Sequence, residues 1–205
     1  MFNSGITVEE LIESIKDEAD IAPVVNEDNY IHWINALEQM LYSEIIKEQN
    51  EYTTTIKKDF LALSEIGEDF QLRFEDIYAV YADVNGHSIQ LKKSTVATGD
   101  ILPNCYFKYD NKINFSLGFT ENYPDGIEIR IIYIKRPKLK TSATKETDII
   151  MLPVEFIELM KSKVRGEAYK LANEDALAAK WLNDYNALLE NFKIWISNKS
   201  PSFGI

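Results

Sequence analysis

Apolar residues among the first fifty positions recur every three or four residues, the spacing of an amphipathic helix. The run Thr7-Val8-Glu9-Glu10 has the form of a capping box, so it predicts the start of a first helix. Its apolar stripe comprises Val8, Leu11, Ile12, Ile15 and Ala19. Pro23 ends this helix by Ala22 at the latest, because the residue before a proline disfavours helical geometry.

The same spacing predicts a second helix, which begins after Asn26 or Asp28 and fades by about Gln49. Its apolar stripe comprises Tyr30, Trp33, Ile34, Leu37, Leu41 and Ile45. The two predicted helices therefore fill the N-terminal segment, residues 1–50.

The pattern changes to alternation from Thr53 onward, which predicts β-strands. Asn85-Gly86 separates the apolar runs 77–84 and 87–91, and Asp110-Asn111 separates 106–109 from 112–117. Both dipeptides suit two-residue hairpin turns, which need positive φ angles. Further strands are indicated by the alternation Phe70 to Phe74 and by 127–135, whose residues 127, 129, 131 and 133 share one face, after a turn at 123–126. About six short strands result, in a small antiparallel sheet, a sandwich or a partial barrel.

Helical spacing returns in the C-terminal quarter of the chain. Residues 137–148 are polar and irregular and predict a linker, after which Leu152-Pro153 opens a third helix with proline at its first position. That helix buries Phe156, Ile157, Met160, Val164, Ala168 and Leu171, and a break at 173–175 precedes a fourth helix. The final residues 198–205 predict an extended tail.

This order of elements predicts an α+β protein, in which an antiparallel four-helix bundle carries a β-rich insertion between helices two and three. Residues 1–50 supply the first two helices, 51–150 the insertion and linker, and 151–197 the last two helices. A chain with 45% hydrophobic residues, 11 Tyr, 10 Phe and 3 Trp can fill such a core.

The predicted fourth helix has an unusually wide apolar face. Its apolar stripe follows alternating steps of four and three, with Leu182, Leu189 and Ile196 beside it: Trp181, Tyr185, Leu188, Phe192 and Trp195. A helix that packs against one neighbour needs a narrower stripe. Either the helix is central and touches three neighbours, or part of this face contacts another subunit.

Charge is distributed unevenly along the chain, whose net charge is −11. Residues 1–50 carry 11 acidic and 2 basic side chains, net −9, whereas 51–150 carry 15 and 13, net −2, and 151–205 carry 7 of each. Tight binding to phosphate backbones needs clustered lysine and arginine, so the composition argues against it. One basic run, Lys135 to Lys140, is either a solvated linker or a contact for nucleic acid or an acidic partner.

The residues that usually carry chemistry are sparse. Cys105 is the one cysteine of the sequence, so it can form neither an intrachain disulfide nor a zinc site built from several cysteines. This composition fits a protein made in a reducing cytoplasm. His32 and His87 are isolated, and no glycine-rich phosphate loop or nucleophile elbow occurs. We expect no enzymatic activity, metal or cofactor. No apolar run approaches 18 residues, and the N-terminus lacks a secretory pattern, so no membrane association is expected.

Several stretches resemble the head-to-tail adaptor, or connector, proteins of tailed bacteriophages, especially the short-tailed type. They are the opening helix TVEELIESIKDEA, the segment YIHWINAL, the strand IEIRIIYIKRP leading to DIIMLPVEF, and the closing pattern AYKLANED followed by WLNDY. The resemblance spans roughly residues 7–197. It implies a structural virion protein that forms a ring, usually of twelve copies, beneath the portal, and no catalytic residues.

Membership in such a ring gives the charge pattern a meaning. DNA that slides through an acidic channel is repelled by its lining, so the channel is lined either by the acidic face of helix one, with Glu9, Glu10, Glu13 and Asp17 as candidates, or by that of helix two. The partners implied are identical copies, the portal protein and tail or nozzle proteins, at the head–tail junction of a virion made in host cytoplasm. The tail residues Pro201 and Phe203 are candidates for docking onto the portal or a neighbouring copy.

Two other functions compete with the connector. The β insertion of a binding module could recognise a carbohydrate or protein surface through aromatic residues such as Tyr106, Tyr109 and Tyr123, if these are exposed; core packing explains them equally well. An uncharacterised hydrolase is a third, weaker alternative.

Overall fold

The computed structural model describes residues 2–18, 25–66, 72–94, 104–116, 120–123 and 125–199. The fold class is α+β, with four main helices and a seven-strand, nearly closed mixed sheet inserted in sequence between the N-terminal and C-terminal helices. The chain divides into a helical unit, within residues 1–46 and 139–205, and a β unit, residues 47–138. Residues 139–150, grouped with the insertion by their sequence, therefore belong with the helices.

Helix α1 spans Val8–Glu18 and begins with the predicted capping box. The Glu10 backbone N–H donates to Thr7 Oγ1 at 3.1 Å, and the Thr7 N–H donates to the Glu10 carboxylate at 2.8 Å. The apolar stripe Val8, Leu11, Ile12 and Ile15 is buried, as its spacing predicts. The predicted helix end at Pro23, like Ala19, lies outside the described residues.

Helix α2 spans Glu27–Met40 and continues as a π-helical turn, Leu41–Ile46. Asn26 caps it, because its side chain accepts from the Asn29 N–H at 3.0 Å while the Asn29 side chain accepts from the Asn26 N–H at 3.2 Å. The buried face matches the predicted stripe at Tyr30, Ile34, Leu37 and Leu41.

The β unit contains the strands β1 (Gln49–Ile56), β2 (Phe60–Ala62), β3 (Ile77–Val84), β4 (His87–Lys93), β5 (Cys105–Tyr109), β6 (Lys112–Phe115) and β7 (Ile127–Ile134), with a short helix α3 (Leu63–Ile66) after β2. Their order in the sheet is β1-β7-β3-β4-β5-β6-β2. Neighbours run antiparallel except β4 and β5, which pair in parallel through two residues each. The expectation of a purely antiparallel sheet was therefore wrong at this pair, where eleven residues, 94–104, separate the strands instead of a two-residue turn.

Both predicted hairpins form. Asn85 and Gly86 have φ angles of 54° and 78°, and Asp110 and Asn111 have 48° and 55°, so the central residues of each turn are left-handed. The turn before β7 also forms, since the Gly126 N–H donates to the Tyr123 carbonyl at 2.8 Å.

The alternation of apolar and polar residues predicts the buried face of β7 correctly, but it wrongly predicts a strand before β3. Ile127, Ile129, Ile131 and Tyr133 are all buried in β7. By contrast, the described part of the predicted strand 70–74 is not a strand, because Phe74–Asp76 form a 3-10 turn. Phe74 is still buried, so tertiary packing rather than strand pairing accounts for its apolar side chain.

Helices α4 (Ile157–Leu171) and α5 (Asp175–Lys199) form a hairpin joined by three residues. A 3-10 turn, Val154–Phe156, follows Pro153, so the regular helix begins four residues later than the proline signal predicts. Gly166 lets the two helices approach closely, because a Cβ there would lie 2.7 Å from Leu182 Cδ2. Helix α5 extends to Lys199, two residues into the predicted tail.

The segment from Lys140 to Met151, which precedes the C-terminal helices, is hydrogen-bonded to α2 through buried polar groups. The Lys140 ammonium donates to the Glu38 carboxylate, and these side chains are 3% and 1% exposed. The Met151 N–H also donates to Glu38, at 2.7 Å, and the Asn35 side chain bonds the Lys140 backbone twice, at 2.9 Å. Burial raises the pKa of Glu38, against the lowering effect of Lys140 and the Met151 N–H. The predicted polar linker is therefore irregular but packed.

Candidate functional site

The aromatic residues of α5 proposed as subunit contacts lie largely inside the helical unit. Phe192 is fully buried, and its ring centroid lies 4.9 Å from that of Phe156 and 6.0 Å from that of Trp195. Tyr185 is 8% exposed. Burial raises the pKa of its hydroxyl, and the charge of the Glu44 carboxylate raises it further. Neither side chain can reach another copy without unpacking the core, which corrects the expectation for these two residues.

The two tryptophans of α5 are half-buried. Trp195 also meets Phe2 at 5.5 Å between ring centroids, and the Lys199 ammonium lies 3.9 Å from its ring centroid. Trp181 stacks on the Arg165 guanidinium at 4.6 Å, beside the Lys180 ammonium at 5.2 Å. The apolar face of α5 thus serves several neighbours within one chain, the first of the two alternatives that its width left open.

The most exposed apolar side chains of the helical unit are not these aromatic residues. Those with the largest exposed fractions are Val154, Leu171, Leu177 and Ile194. Pro201 and Phe203, the candidate docking residues of the tail, lie outside the described residues.

The four candidate channel-lining acids of α1 have different surroundings. Glu9 is half-buried and pairs with the Lys145 ammonium at 3.2 Å, and Glu10 completes the capping box. Glu13 and Asp17 are exposed. Hydrogen bonds to Glu27 and then Glu9 raise the pKa of Lys145. Glu13 and Asp17 therefore carry the channel-lining hypothesis.

The basic run 135–140 is partly neutralised within the chain. Arg136 donates to the Asp76 carboxylate, which is 3% exposed, and Lys140 binds Glu38 as described above. At least two of its four cations, Arg136 and Lys140, are thus paired internally, which weakens the interpretation of this run as a nucleic-acid contact.

The aromatic residues of the β unit separate into core and surface. Tyr106 is buried, which raises its pKa to about 12, and Tyr123 packs against the sheet core. Tyr109 is 64% exposed. Of the two alternatives left open for these tyrosines, core packing therefore holds for Tyr106, which faces Phe115 across β5 and β6 and meets Phe74 edge-on at 5.7 Å.

Tyr109 belongs to a surface that we call the lysine–aromatic face, on the outer side of β2, β6 and β5. It comprises Lys58, Phe60, Phe107, Tyr109 and Lys112. Phe60 and Phe107 both lie opposite Asn114, and Tyr109 lies opposite Lys112, so their side chains share one side of the sheet. Sequence reasoning missed this surface, although lysines and aromatic residues alternate around both segments, because β2 was not predicted.

The described residues offer little for catalysis. Among them, no group of three histidine, cysteine or acidic side chains could hold a metal ion, and His32 and His87 are both exposed. Cys105 is buried, as expected. Burial lowers the pKa of Lys93, and its ammonium donates to the Phe74 carbonyl at 3.0 Å.

Within the part of the chain that the structure describes, none of the helices combines the length and apolarity needed to cross a membrane. Comparison of the sequence with protein-family models finds no match, and comparison with curated proteins finds none either. The functional argument therefore rests on the residues and their arrangement.

Proposed function

We propose that this chain is a structural protein of a tailed-bacteriophage virion, which forms a ring below the portal, extends the DNA channel and joins head to tail. The observation that carries the proposal is a helical core interrupted in sequence by a β unit. Val8, Ile34, Met160 and Phe192, from all four main helices, belong to one buried cluster. This order of elements is the one on which the resemblance to connector proteins rests. In the proposal the four helices form an antiparallel bundle.

The assembly has three kinds of partner in this proposal. Identical copies, twelve in the usual ring, make the channel wall, the portal protein lies above it, and tail or nozzle proteins attach below. Genomic DNA passes through without sequence-specific binding. The ring is located at the head–tail junction, and its subunits are made in the host cytoplasm.

The exposed acids of α1 suit the channel wall. Glu13 and Asp17 lie one helical turn apart, so they present their charges on the same side of α1. Phosphate groups of a passing duplex would be repelled, and no cationic site would hold the DNA in place. Glu9, with its Lys145 partner, adds less negative charge.

Native mass spectrometry tests the proposal. The purified chain is measured alone and after co-production with the portal protein of the same phage, and negative-stain images record any ring. A closed ring with a central opening, formed alone or on the portal, is the expected result. A chain that stays monomeric and does not bind the portal contradicts the proposal.

A protein-binding module is the second candidate, and one observation favours it. The lysine–aromatic face exposes Tyr109 by 64% and Phe60 by 37%, although both belong to strands. An apolar surface beside lysine ammonium groups suits an acidic protein partner. If the chain proves monomeric and captures a tail or host surface protein through this face, the module replaces the ring.

A further inference from the structure

We propose that the lysine–aromatic face of one copy receives helix α1 of the next copy in the ring, with Lys58 and Lys112 meeting Glu13 and Asp17. This inference rests on the proposed ring. It names the subunit contact that the buried aromatic residues of α5 do not supply.

The lysine–aromatic face combines apolar surface with positive charge. The Lys112 ammonium lies 4.8 Å and the Lys58 ammonium 5.5 Å from the ring centroid of Phe60. Both cations lie within cation–π distance of this ring, so a sugar ring or a nucleic-acid base would compete with them for it and is a poorer occupant. Carboxylates that approach the two ammonium groups while apolar atoms cover Phe60 and Tyr109 fit better.

The acidic residues next to this face, Asp59 and Asp110, do not prevent the carboxylates of a partner from reaching its lysines. Asp59 is turned away, because its carboxylate accepts from the Thr120 N–H and hydroxyl, both at 2.8 Å. Asp110 lies 3.7 Å from Lys112, but its side chain is 76% exposed. Solvent screens an exposed pair of this kind, so Lys112 can exchange Asp110 for a less solvated carboxylate.

Helix α1 matches the face in charge and spacing. Glu13 and Asp17 are four residues apart, which places their Cβ atoms about 5–6 Å apart. The two ammonium groups lie near a single ring, within reach of such a pair. Lys16, the cation between these acids in sequence, points elsewhere, because its ammonium lies over the Tyr30 ring at 5.5 Å.

Ring geometry requires a contact of this type. A closed cyclic ring uses heterologous contacts, in which one surface of a copy meets a different surface of the next. Two α1 helices would repel each other through their acids, whereas α1 and the lysine–aromatic face attract. Glu13 and Asp17 then lie at the junctions between copies and not along the channel wall, so this contact replaces the channel-lining role proposed for them, and the acidic face of helix α2, the other candidate, lines the channel.

Charge reversal in two separate chains tests the contact. One variant carries K58E and K112E, and the other carries E13K and D17K. Each alone should lose ring formation in native mass spectrometry, because both contacting surfaces then have the same sign. Mixed one to one, the variants should regain rings with equal numbers of each chain, since every junction again joins opposite charges.

Controls separate this contact from a general effect of charge. K92E with K138E reverses two exposed lysines of the β unit outside the face and should leave the ring intact. Circular dichroism should show that all variants fold. Raising ionic strength from about 0.1 to 1 M, which shortens the screening length from about 10 to 3 Å, should weaken the wild-type ring.

The outcomes distinguish this inference from the proposed function. Rings from the wild type and from each single variant overturn the inference while the ring proposal stands. Loss in both variants without recovery on mixing also overturns it. Binding of a labelled single-stranded oligonucleotide that K58E/K112E abolishes, with rings unchanged, would assign the face to nucleic acid instead. A wild type that forms no ring in any condition overturns both proposals.

Discussion

Replacing Lys140 by methionine should destabilise the helical unit in a way that depends on pH. In the wild type the Lys140 ammonium and the Glu38 carboxylate neutralise each other, with side chains only 3% and 1% exposed. Methionine occupies a similar volume but leaves the carboxylate without its cation. Breaking a buried pair in this way typically costs about 3–5 kcal/mol.

The destabilisation of K140M has an upper limit, because the unpaired Glu38 carboxylate can take up a proton instead of staying charged. A carboxyl with an ordinary pKa of 4.5 takes up a proton at pH 7 for about 3.4 kcal/mol, since 2.5 pH units correspond to 1.36 kcal/mol each. At pH 5 the same step costs only about 0.7 kcal/mol. Because burial raises the pKa of this carboxyl in the folded chain, the stability of K140M should fall as pH rises from 5 to 7. The Met151 N–H remains bound to Glu38 in either case.

The double variant E38Q/K140M supplies the matched comparison. It removes both charges, and the glutamine side chain that replaces Glu38 keeps an oxygen that can accept from the Met151 N–H. We expect its stability to lie within about 1–2 kcal/mol of the wild type. The exposed pair Lys193–Glu190, at 2.6 Å, is the control cycle and should show about 0–1 kcal/mol of coupling.

Urea unfolding at pH 5 and pH 7 measures these differences. The three tryptophans, Trp33, Trp181 and Trp195, all belong to the helical unit, so their fluorescence reports the unfolding of that unit. The reasoning is refuted if K140M matches the wild type at pH 7, or if its loss is the same at both pH values. A double variant as unstable as the sum of the single variants would also refute it.

Three further predictions follow from local geometry. Gly166→Ala should destabilise the chain by about 1–3 kcal/mol in urea unfolding, because the added Cβ would meet Leu182, and L182A in the same chain should relieve the loss. Spectrophotometric titration should find Tyr106 ionising near pH 12; since its folded pKa is raised, the stability it contributes is complete below about pH 10 and lost as pH rises toward 12, and Y106F should lack this component. Thr7→Ala should cost about 1 kcal/mol of thermal stability by removing the cap of α1, and a melting temperature equal to that of the wild type would contradict this.

Local sequence patterns predicted the elements whose signals are carried by neighbouring residues. The Thr7–Glu10 capping box, the two hairpin turns and the alternation in β7 were all confirmed, because each depends on backbone geometry within a few residues. The order of helices and strands, and hence the α+β class, followed from the same signals.

Long-range pairing was beyond the sequence. Lys140 looks like one cation of a polar linker, yet it is buried because Glu38, 102 residues earlier, receives it. The sequence left Tyr106 open between surface and core, and the strand register places it opposite Phe115 in the core. The parallel pairing of β4 with β5 has no local signature either, since eleven residues separate the two strands in sequence.

The lysine–aromatic face shows the same limit at the level of function. Its residues come from two segments about fifty positions apart, which the β2–β6–β5 register brings side by side. Neither segment alone exceeds the ordinary composition of a strand. The aromatic pattern of α5 is more conspicuous in sequence, but Phe192 shows that such a pattern can serve the interior.

The parallel contact between β4 and β5 divides the sheet mechanically. On one side β1, β7, β3 and β4 are held by long antiparallel ladders, and on the other β5, β6 and β2 form a shorter set. Among the described residues, the β4–β5 ladder that joins these two sets has two residue pairs, although side chains of both sets pack in one hydrophobic core. The backbone hydrogen bonds of that ladder should therefore open more readily than those of the long ladders, so we expect faster amide exchange in β5 than in β7.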